Sequence, residues 1–524
     1  MSFRPARSSP AMRASLHGVA LWLAVLFLVA CTRLGPDFQA PGEPWTKTWN
    51  SPAIERASQR QHSPDLRQWW QVFSDPTLDR LIAESDTHNS SLKIAGLRVM
   101  EARAQLGIAQ SQRYPQLQQA SADTLYAKRY QSGGSNPRDS RFWQYSAGYD
   151  IGWELDFWGR FARAIESADA AYFAAQANYE DALVLLRAQV AMTYFALRTT
   201  EARLRVAREN AAQQLRNLEI TEKLYASGQI AELDVQQAKT QYLGTSSSIP
   251  SLEDQAARTR NALAGLIGQP PGALSLRDES TGLIPLVDRA VLQDVPAELL
   301  LRRPDVRAAE LNVAAQSALI GVAESELYPS LTLLGSIVWS TDSLSGTSNN
   351  LDLVGGPSLR WNLFDHGRIR NNVRVQDARL QHLIEAYREQ VRQAAREADD
   401  AATGLIKALE RERILRQAAQ AAQRSLVLAN TWYREGYSDF QRVLDAQSAL
   451  LQQQDNYLIS RSDAVNNLVA LYKALGGGWQ SDQPLVDPQT RQSMEQRSDW
   501  GNLLTPPTAA PPSAAAALKV TDHD

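Results

Sequence analysis

Cys31 carries the only thiol in a chain of 524 residues. A lone thiol has no disulfide partner, so the chemistry open to it is modification of its sulfur. Other reactive residue types are present but dispersed. The six histidines (His17, His62, His88, His366, His382 and His523) show no metal-ligand spacing, and no nucleophile elbow or phosphate-cradling loop occurs. "GLIGQPPG" (265–272) reads as a helix end and a turn, and the Asp399–Asp400 pair as solvated helix surface. No catalytic residue, metal site or bound cofactor is expected. A net charge of −3 gives no basic field for nucleic acid.

The elements around Cys31 say what its modification would be. Arg4, Arg7 and Arg13 precede the run from Val19 to Ala30, whose twelve residues are too few to span a bilayer as a helix. A basic start and an apolar middle make an export signal. Leu28, Val29, Ala30 and Cys31 resemble the lipobox of bacterial lipoproteins. The resemblance implies loss of residues 1–30 and a covalent lipid on Cys31, N-palmitoyl and S-diacylglycerol, as residue one of the mature protein. Residues 31–88 then form a lipid-anchored N-terminal segment, and Thr32, by the same resemblance, favours the outer membrane. No other apolar run approaches 18 residues, so any passage through a membrane must use strands.

The chain is a duplication. "LYASGQIAELDVQQA" (224–238) aligns with "WYREGYSDFQRVLDA" (432–446) and "WELDFWGR" (153–160) with "WNLFDHGR" (361–368), both at an offset of 208. "IAQSQRYPQ" (108–116) matches "VAESELYPS" (322–330) at 214, so the first copy holds a longer insert between Pro115 and Trp153. The repeats are expected at 89–268 and 303–476, joined by an irregular segment, 269–302. Each contains one long helix, 160–225 and 368–433, and neither Pro nor Gly occurs in the first. Leu183, Val190, Leu197, Leu204, Ala211, Leu218 and Tyr225 recur every seven residues, as do Val373, Leu380, Tyr387, Ala394, Ala401, Ala408, Leu415, Ala422 and Ala429. Each turns back at a glycine, Gly228 or Gly436, into a return helix, 231–267 or 439–475. The proline- and alanine-rich tail, 477–524, reads as disordered.

The end opposite the hairpins holds the strands. Trp143, Tyr145, Tyr149, Ile151 and Trp153 alternate with polar or small residues over 142–155, and Leu359 and Trp361 do so over 351–363. Such alternation with aromatic ends suits a barrel strand with lipid on one side and water on the other. Partner strands are expected at 116–127 and 330–340, with faces the sequence leaves unassigned. Four strands cannot sit in a membrane as an open sheet. Three chains give a barrel of twelve strands with room for a lumen, whereas eight strands are filled by side chains.

"WWQVFSDPTLDRLI" (69–82), the block around Arg302, Arg303, Pro304 and Asp305, and "NLVALYKALGGGW" (467–479) resemble the recurring segments of outer-membrane factors. These are the TolC-type exit ducts of tripartite efflux pumps, and the likeness is to their lipoprotein branch, similar to OprM and the NodT family. The resemblance implies an α+β membrane protein: a homotrimer with a shared 12-stranded barrel and a coiled-coil helical tunnel running into the periplasm. It implies a periplasmic adaptor and an inner-membrane pump, of the resistance-nodulation-division type, as partners. By alignment Asp445 matches an acidic position lining the periplasmic aperture, and Arg442, one turn away, is expected to pair with Asp445 or with Asp234. Gln441 and Arg442 depart from the family, which often has an aspartate or a bulky apolar residue there. Two rival readings are a non-conducting coiled-coil lipoprotein that spaces the outer membrane, and the exit duct of a type I protein secretion system.

Overall fold

The computed structural model describes residues 33–42, 66–131, 138–276, 284–287, 301–341, 349–481 and 483–504. Cys31, the signal segment and most of the linker (277–283 and 288–300) lie outside the described residues. Two helices open the described body, α1 (Pro76–His88) and α2 (Ser90–Ser111), and are followed by strands β1 (Leu117–Gln131) and β2 (Arg138–Leu155). The long helix α3 (Arg160–Ala226) and its return helix α4 (Glu232–Leu266) complete the first copy. The second copy repeats the order as α5 (Pro304–Ser325), β3 (Ser330–Thr341), β4 (Asn349–Arg360), α6 (Arg368–Arg434) and α7 (Phe440–Ala474). Helix lengths match across the copies at 22, 67 and 35 residues. A 67-residue helix is about 100 Å long.

The heptad residues are the packing residues. Leu183, Val190 and Leu197 of α3 are buried, as are Ala394, Ala401 and Ala408 of α6. Alanines there let the backbones of neighbouring helices approach closely. The main core joins α3 (Tyr194, Phe195, Leu197) to α1 (Leu78, Leu81, Ile82), Trp69, Leu405 of α6 and Leu468 of α7.

Four expectations need correction. The strand expected over 351–363 ends at Arg360, so Trp361 lies beyond the ladder. The residue that would pair with it, Pro329, has no N–H to donate. The first hairpin is longer than expected, with β1 reaching Gln131 and β2 starting at Arg138, because the copy-one insert extends both strands. The tail is also not uniformly disordered. Asp487 caps α8 (Pro488–Arg497) by accepting from Thr490 N at 3.0 Å, and Met494 and Leu504 are buried in the main core. The proline-rich stretch 505–520 lies outside the described residues. The acidic pair also divides, since Asp400 is exposed whereas Asp399 has a buried Oδ1 without a hydrogen-bond partner.

Candidate functional site: the two-faced sheet and the hairpin tips

The strands form one antiparallel sheet in the order β1-β2-β3-β4. Register assigns the faces that the sequence could not. Tyr149 stands opposite Ala120 on β1 and Ile337 on β3, and Ile337 stands opposite Leu353 on β4. Cross-strand partners share a face. One face therefore carries Tyr126, Trp143, Tyr145, Ala147, Tyr149, Ile151, Trp153, Leu333, Ile337, Trp339, Leu351, Leu353 and Leu359. The other carries Gln119, Ser121, Asp123, Gln144, Asp150, Glu154, Ser336, Ser340 and Asp352. Asp123 of β1 and Leu334 of β3, an acidic and an apolar residue, both lie on this polar face. Exposure of Trp143, Tyr149, Leu351, Leu353 and Leu359 leaves the apolar face uncovered within one chain. The edges β1 and β4 have no further strand partner among the described residues.

Where the sheet meets the helices the two copies repeat one contact. Trp153 Nε1 donates to Arg113 O at 3.2 Å, and Trp361 Nε1 donates to Leu327 O at 3.0 Å. Each indole thus satisfies its only donor against the helix end of its own copy.

At the opposite end the long helices reverse as the glycines require. Gly228 (φ 75°) and Gly436 (φ 77°) occupy the left-handed region. Gln229 N donates to Leu224 O and Tyr437 N to Trp432 O, both at 2.9 Å, closing the same cap twice. Around the second turn Phe440, Val443, Leu444 and Leu450 form a separate small core with Leu218, Val235 and Leu426. The expected ion pairs are absent from this end. Asp445 accepts from Gln441 Nε2 at 2.8 Å, and Arg442 Nε faces Asp439 Oδ1 at 3.9 Å. Both alternatives lie one helical turn N-terminal to the residue concerned, within equal reach of the partners expected from spacing. Asp234 lies instead beside Tyr433, whose hydroxyl is pushed up first by burial and then by that carboxylate.

Sequence reasoning missed the buried arginines that hold the helices together. Arg303 is buried; it donates to Asp305, to Glu397 Oε2 at 3.1 Å and to Ala474 O at 2.9 Å. Burial raises the Asp305 carboxyl, but hydrogen bonds from Arg303 outweigh it and hold the group below the usual range. Asp181 faces the same cavity of about 190 Å³, with Lys473, Gln390 and Gln393. Burial and then Asp305 push Asp181 up to about 6, against the pull of Arg303 and Lys473. The one signal was the Arg303-Pro304-Asp305 run itself, a helix start with an acidic first turn.

A lengthwise duplicated chain with one two-faced sheet and two long helical hairpins defines a class. Residues 81–269 and 295–477 match the family described as outer membrane efflux protein, and the chain belongs to it. It is an outer-membrane efflux component. The pyoverdine export outer membrane protein OpmQ of Pseudomonas putida strain KT2440 is 30% identical over 471 residues, covering 88% of this chain and 97% of the relative. The protein named "Probable outer membrane lipoprotein SilC" of Salmonella typhimurium is 28% identical, covering 88% and 98%. Among solved structures the outer-membrane channel OprN superposes with a TM-score of 0.79 at 33% identity, over 86% of this chain and all of that one. Among the described residues no helix is long and apolar enough to cross a membrane.

Proposed function

We propose that the chain is the trimeric outer-membrane duct of a tripartite efflux pump, a passive channel that exports small molecules. The observation that carries this reading is the sheet, apolar on one face and polar on the other, with both edges open. In hydrocarbon each unpaired edge leaves backbone groups unsatisfied, and pairing β4 of one chain with β1 of the next removes every edge. Three chains give twelve strands, with the polar face lining the lumen and the apolar face meeting outer-membrane lipid. The helices continue the lumen into the periplasm and narrow at the tips, where Asp445, Arg442 and Asp234 stand near the aperture. A periplasmic adaptor docks there and links the duct to an inner-membrane pump of the resistance-nodulation-division type. A lipid on Cys31 supplements the barrel, a reading supported by the lipobox and by a relative named as an outer membrane lipoprotein.

Purified protein in planar bilayers tests the reading. Discrete single-channel currents are expected from a species that runs as a trimer on native gels. A monomer, or a trimer without current, leaves the coiled-coil spacer as the better reading, and passage of an unfolded polypeptide would favour a protein-secretion duct. Cys31→Ala is expected to abolish palmitate labelling while the trimer stays in the membrane, because one lipid chain binds only marginally whereas a barrel buries many side chains. A wholly soluble Cys31→Ala protein would contradict the barrel.

A further inference from the structure

The apolar face of the first hairpin ends in a pair of cations. On β2 its row runs from Trp153 to Trp143, ten residues apart. At about 3.3 Å per residue and a strand tilt of about 40°, that row climbs about 25 Å, the height of the apolar band of an outer-membrane barrel. Both ends of the band are marked. At the helix end Trp153 is tied to Arg113 O, and at the far end Trp143 packs across the ladder on Tyr126, with ring centroids 5.2 Å apart and both residues more than half exposed. Aromatic side chains with one polar atom suit the boundary between hydrocarbon and water. The next row on the same face is Lys128 opposite Arg141, both exposed. One row is two residues, so the cations stand about 5 Å above the rings, at the depth of lipid headgroups.

The duplication provides an internal control. Trp361, the counterpart of Trp153 at the offset of 208, makes the same bond to a helix end, and Leu351, ten residues before it, is the counterpart of Trp143. One row higher, Asn349 corresponds to Arg141, and β3 sets Thr341 opposite it as β1 sets Lys128 opposite Arg141. The row at that height is neutral in copy two. The shared backbone therefore does not require cations there, and directly opposed like charges weaken a sheet.

We propose that Lys128 and Arg141 clamp the phosphate of a phosphorylated lipid of the outer leaflet, with Tyr126 and Trp143 packed against the apolar part of the same molecule. Opposed Cβ atoms lie about 5 Å apart, so a guanidinium and an ammonium can close on one tetrahedral anion. The guanidinium supplies two parallel N–H donors and the ammonium a point charge. An anion shared by both replaces their mutual repulsion with attraction to a common partner. The cationic face is one row deep, since the row above sets Asp139 opposite Tyr130. Such a site fits a single phosphate carried on a lipid better than an extended polyanion. The clamp rests on the reading that the apolar face meets outer-membrane lipid.

Native mass spectrometry of the full chain in detergent tests it, by titration with diphosphorylated lipid A and with lipid A stripped of both phosphates. The wild type is expected to hold the phosphorylated form at least tenfold more tightly. Arg141→Gln is expected to lose most of that preference, Lys128→Gln a smaller part, and the double variant all of it, because only the guanidinium donates two parallel bonds. Arg360→Gln, which removes the same charge from the polar face of β4, is expected to keep the preference. No preference in the wild type, an unchanged preference in the double variant, or an equal loss in Arg360→Gln overturns the proposal. Displacement of lipid A by an equal concentration of inorganic phosphate also overturns it, because the pair would then be a site for small anions. If the double variant does not accumulate, Arg141→Gln decides alone. The same spectra report the oligomer. A monomer that binds neither form of lipid A counts against the lipid-facing barrel itself, whereas a trimer that binds both forms equally refutes only the clamp.

Discussion

The two copies have the same helix lengths and the same turns, yet their long helices do different work. In α3 the large side chains Tyr194 and Phe195 are almost fully buried, because α3 is packed by α1, α2, α4, α5 and α7. In α6 half of the buried positions are alanines, and the helix packs on α5 and α7. The residue of α6 that corresponds to Phe195 is Thr403, which is exposed. Duplication therefore fixed the backbone, while side chains diverged where one copy meets chain outside the repeats: the Trp69–Phe73 turn, α1 and the C-terminal segment. The same divergence reaches the tips, where Asp234 of one copy corresponds to Arg442 of the other.

The sharpest break of that comparison is a pair of truncations. Phe195→Ala is expected to cost about 3–5 kcal/mol through the cavity it leaves, and Thr403→Ala within about 0.5 kcal/mol, both measured by denaturant unfolding. Equal losses would show that the copies share the core alike. Leu197→Ala and Leu405→Ala, a matched pair that is fully buried in the same cluster, are expected to be equally costly at about 2–5 kcal/mol.

In the sheet the copies are expected to behave alike. Tyr149→Lys and Leu353→Lys, on the apolar face of copies one and two, are each expected to lower trimer stability by about 2–4 kcal/mol near the bilayer midplane. Asp150→Lys, on the polar face, is expected to leave the trimer intact on native gels. Loss of trimer from Asp150→Lys alone would mean that the faces are reversed, and equal effects of all three would mean that the sheet is not divided into a lipid face and a water face.

A smaller effect separates the copies by pH. Asp181 of α3 is raised to about 6 by burial, and its counterpart in α6, Glu389, is exposed and paired with Arg392. The raised value means that the folded chain holds this proton more tightly than the unfolded chain. The stabilisation is complete below the ordinary carboxylate range near pH 4 and is lost as pH rises through 6. Asp181→Asn is expected to raise stability by about 1–2 kcal/mol at pH 7.5 after solvent screening, and to change it little at pH 4. Glu389→Gln is expected to shift melting by less than the scatter at either pH. A pH-independent gain in Asp181→Asn would assign its effect to packing.

The smallest energetic change and the most direct functional one belong to the tips. Asp445→Ala is expected to raise single-channel conductance and weaken block by divalent cations added from the periplasmic side, because in the proposed trimer three inward carboxylates would make a ring of charge. Arg442→Ala, whose 3.9 Å partner is Asp439, is expected to act less. Unchanged currents and block in both variants would move the pair from aperture to adaptor contact.

The long helices were legible because their signals are local: an unbroken heptad, no internal Pro, and a glycine where the chain reverses. Boundaries fell within a residue or two of those expected. The faces of β1 and β3 were not legible, because Asp123 and Leu334 share a face that only hydrogen bonding to neighbouring strands defines. The end of β4 was missed because it depends on Pro329 across the ladder. The arginine contacts are more distant still: Arg163 and Asp37 lie 126 residues apart, and Arg303 and Glu397 lie 94 apart. At the tips the spacing left several partners one turn away, and the side chains took the ones N-terminal to them.

The longer insert of the first copy gives the sheet an uneven top. Pairing of β1 with β2 continues to Gln131 and Arg138, whereas β3 stops opposite Tyr145. The seven β2 residues from Arg138 to Gln144 form a two-stranded ribbon rising about 23 Å beyond its neighbour. Were three such sheets closed with threefold symmetry, as proposed, the mouth would be crenellated, with three tall merlons of copy one alternating with three embrasures where the β2–β3 pairing ends. An object approaching from outside the cell would meet the merlons first, and a molecule leaving the lumen could escape sideways through the embrasures before clearing the top. On each merlon Lys128 stands directly opposite Arg141, and like charges so placed discourage the bare ribbon edge from recruiting a strand of another protein.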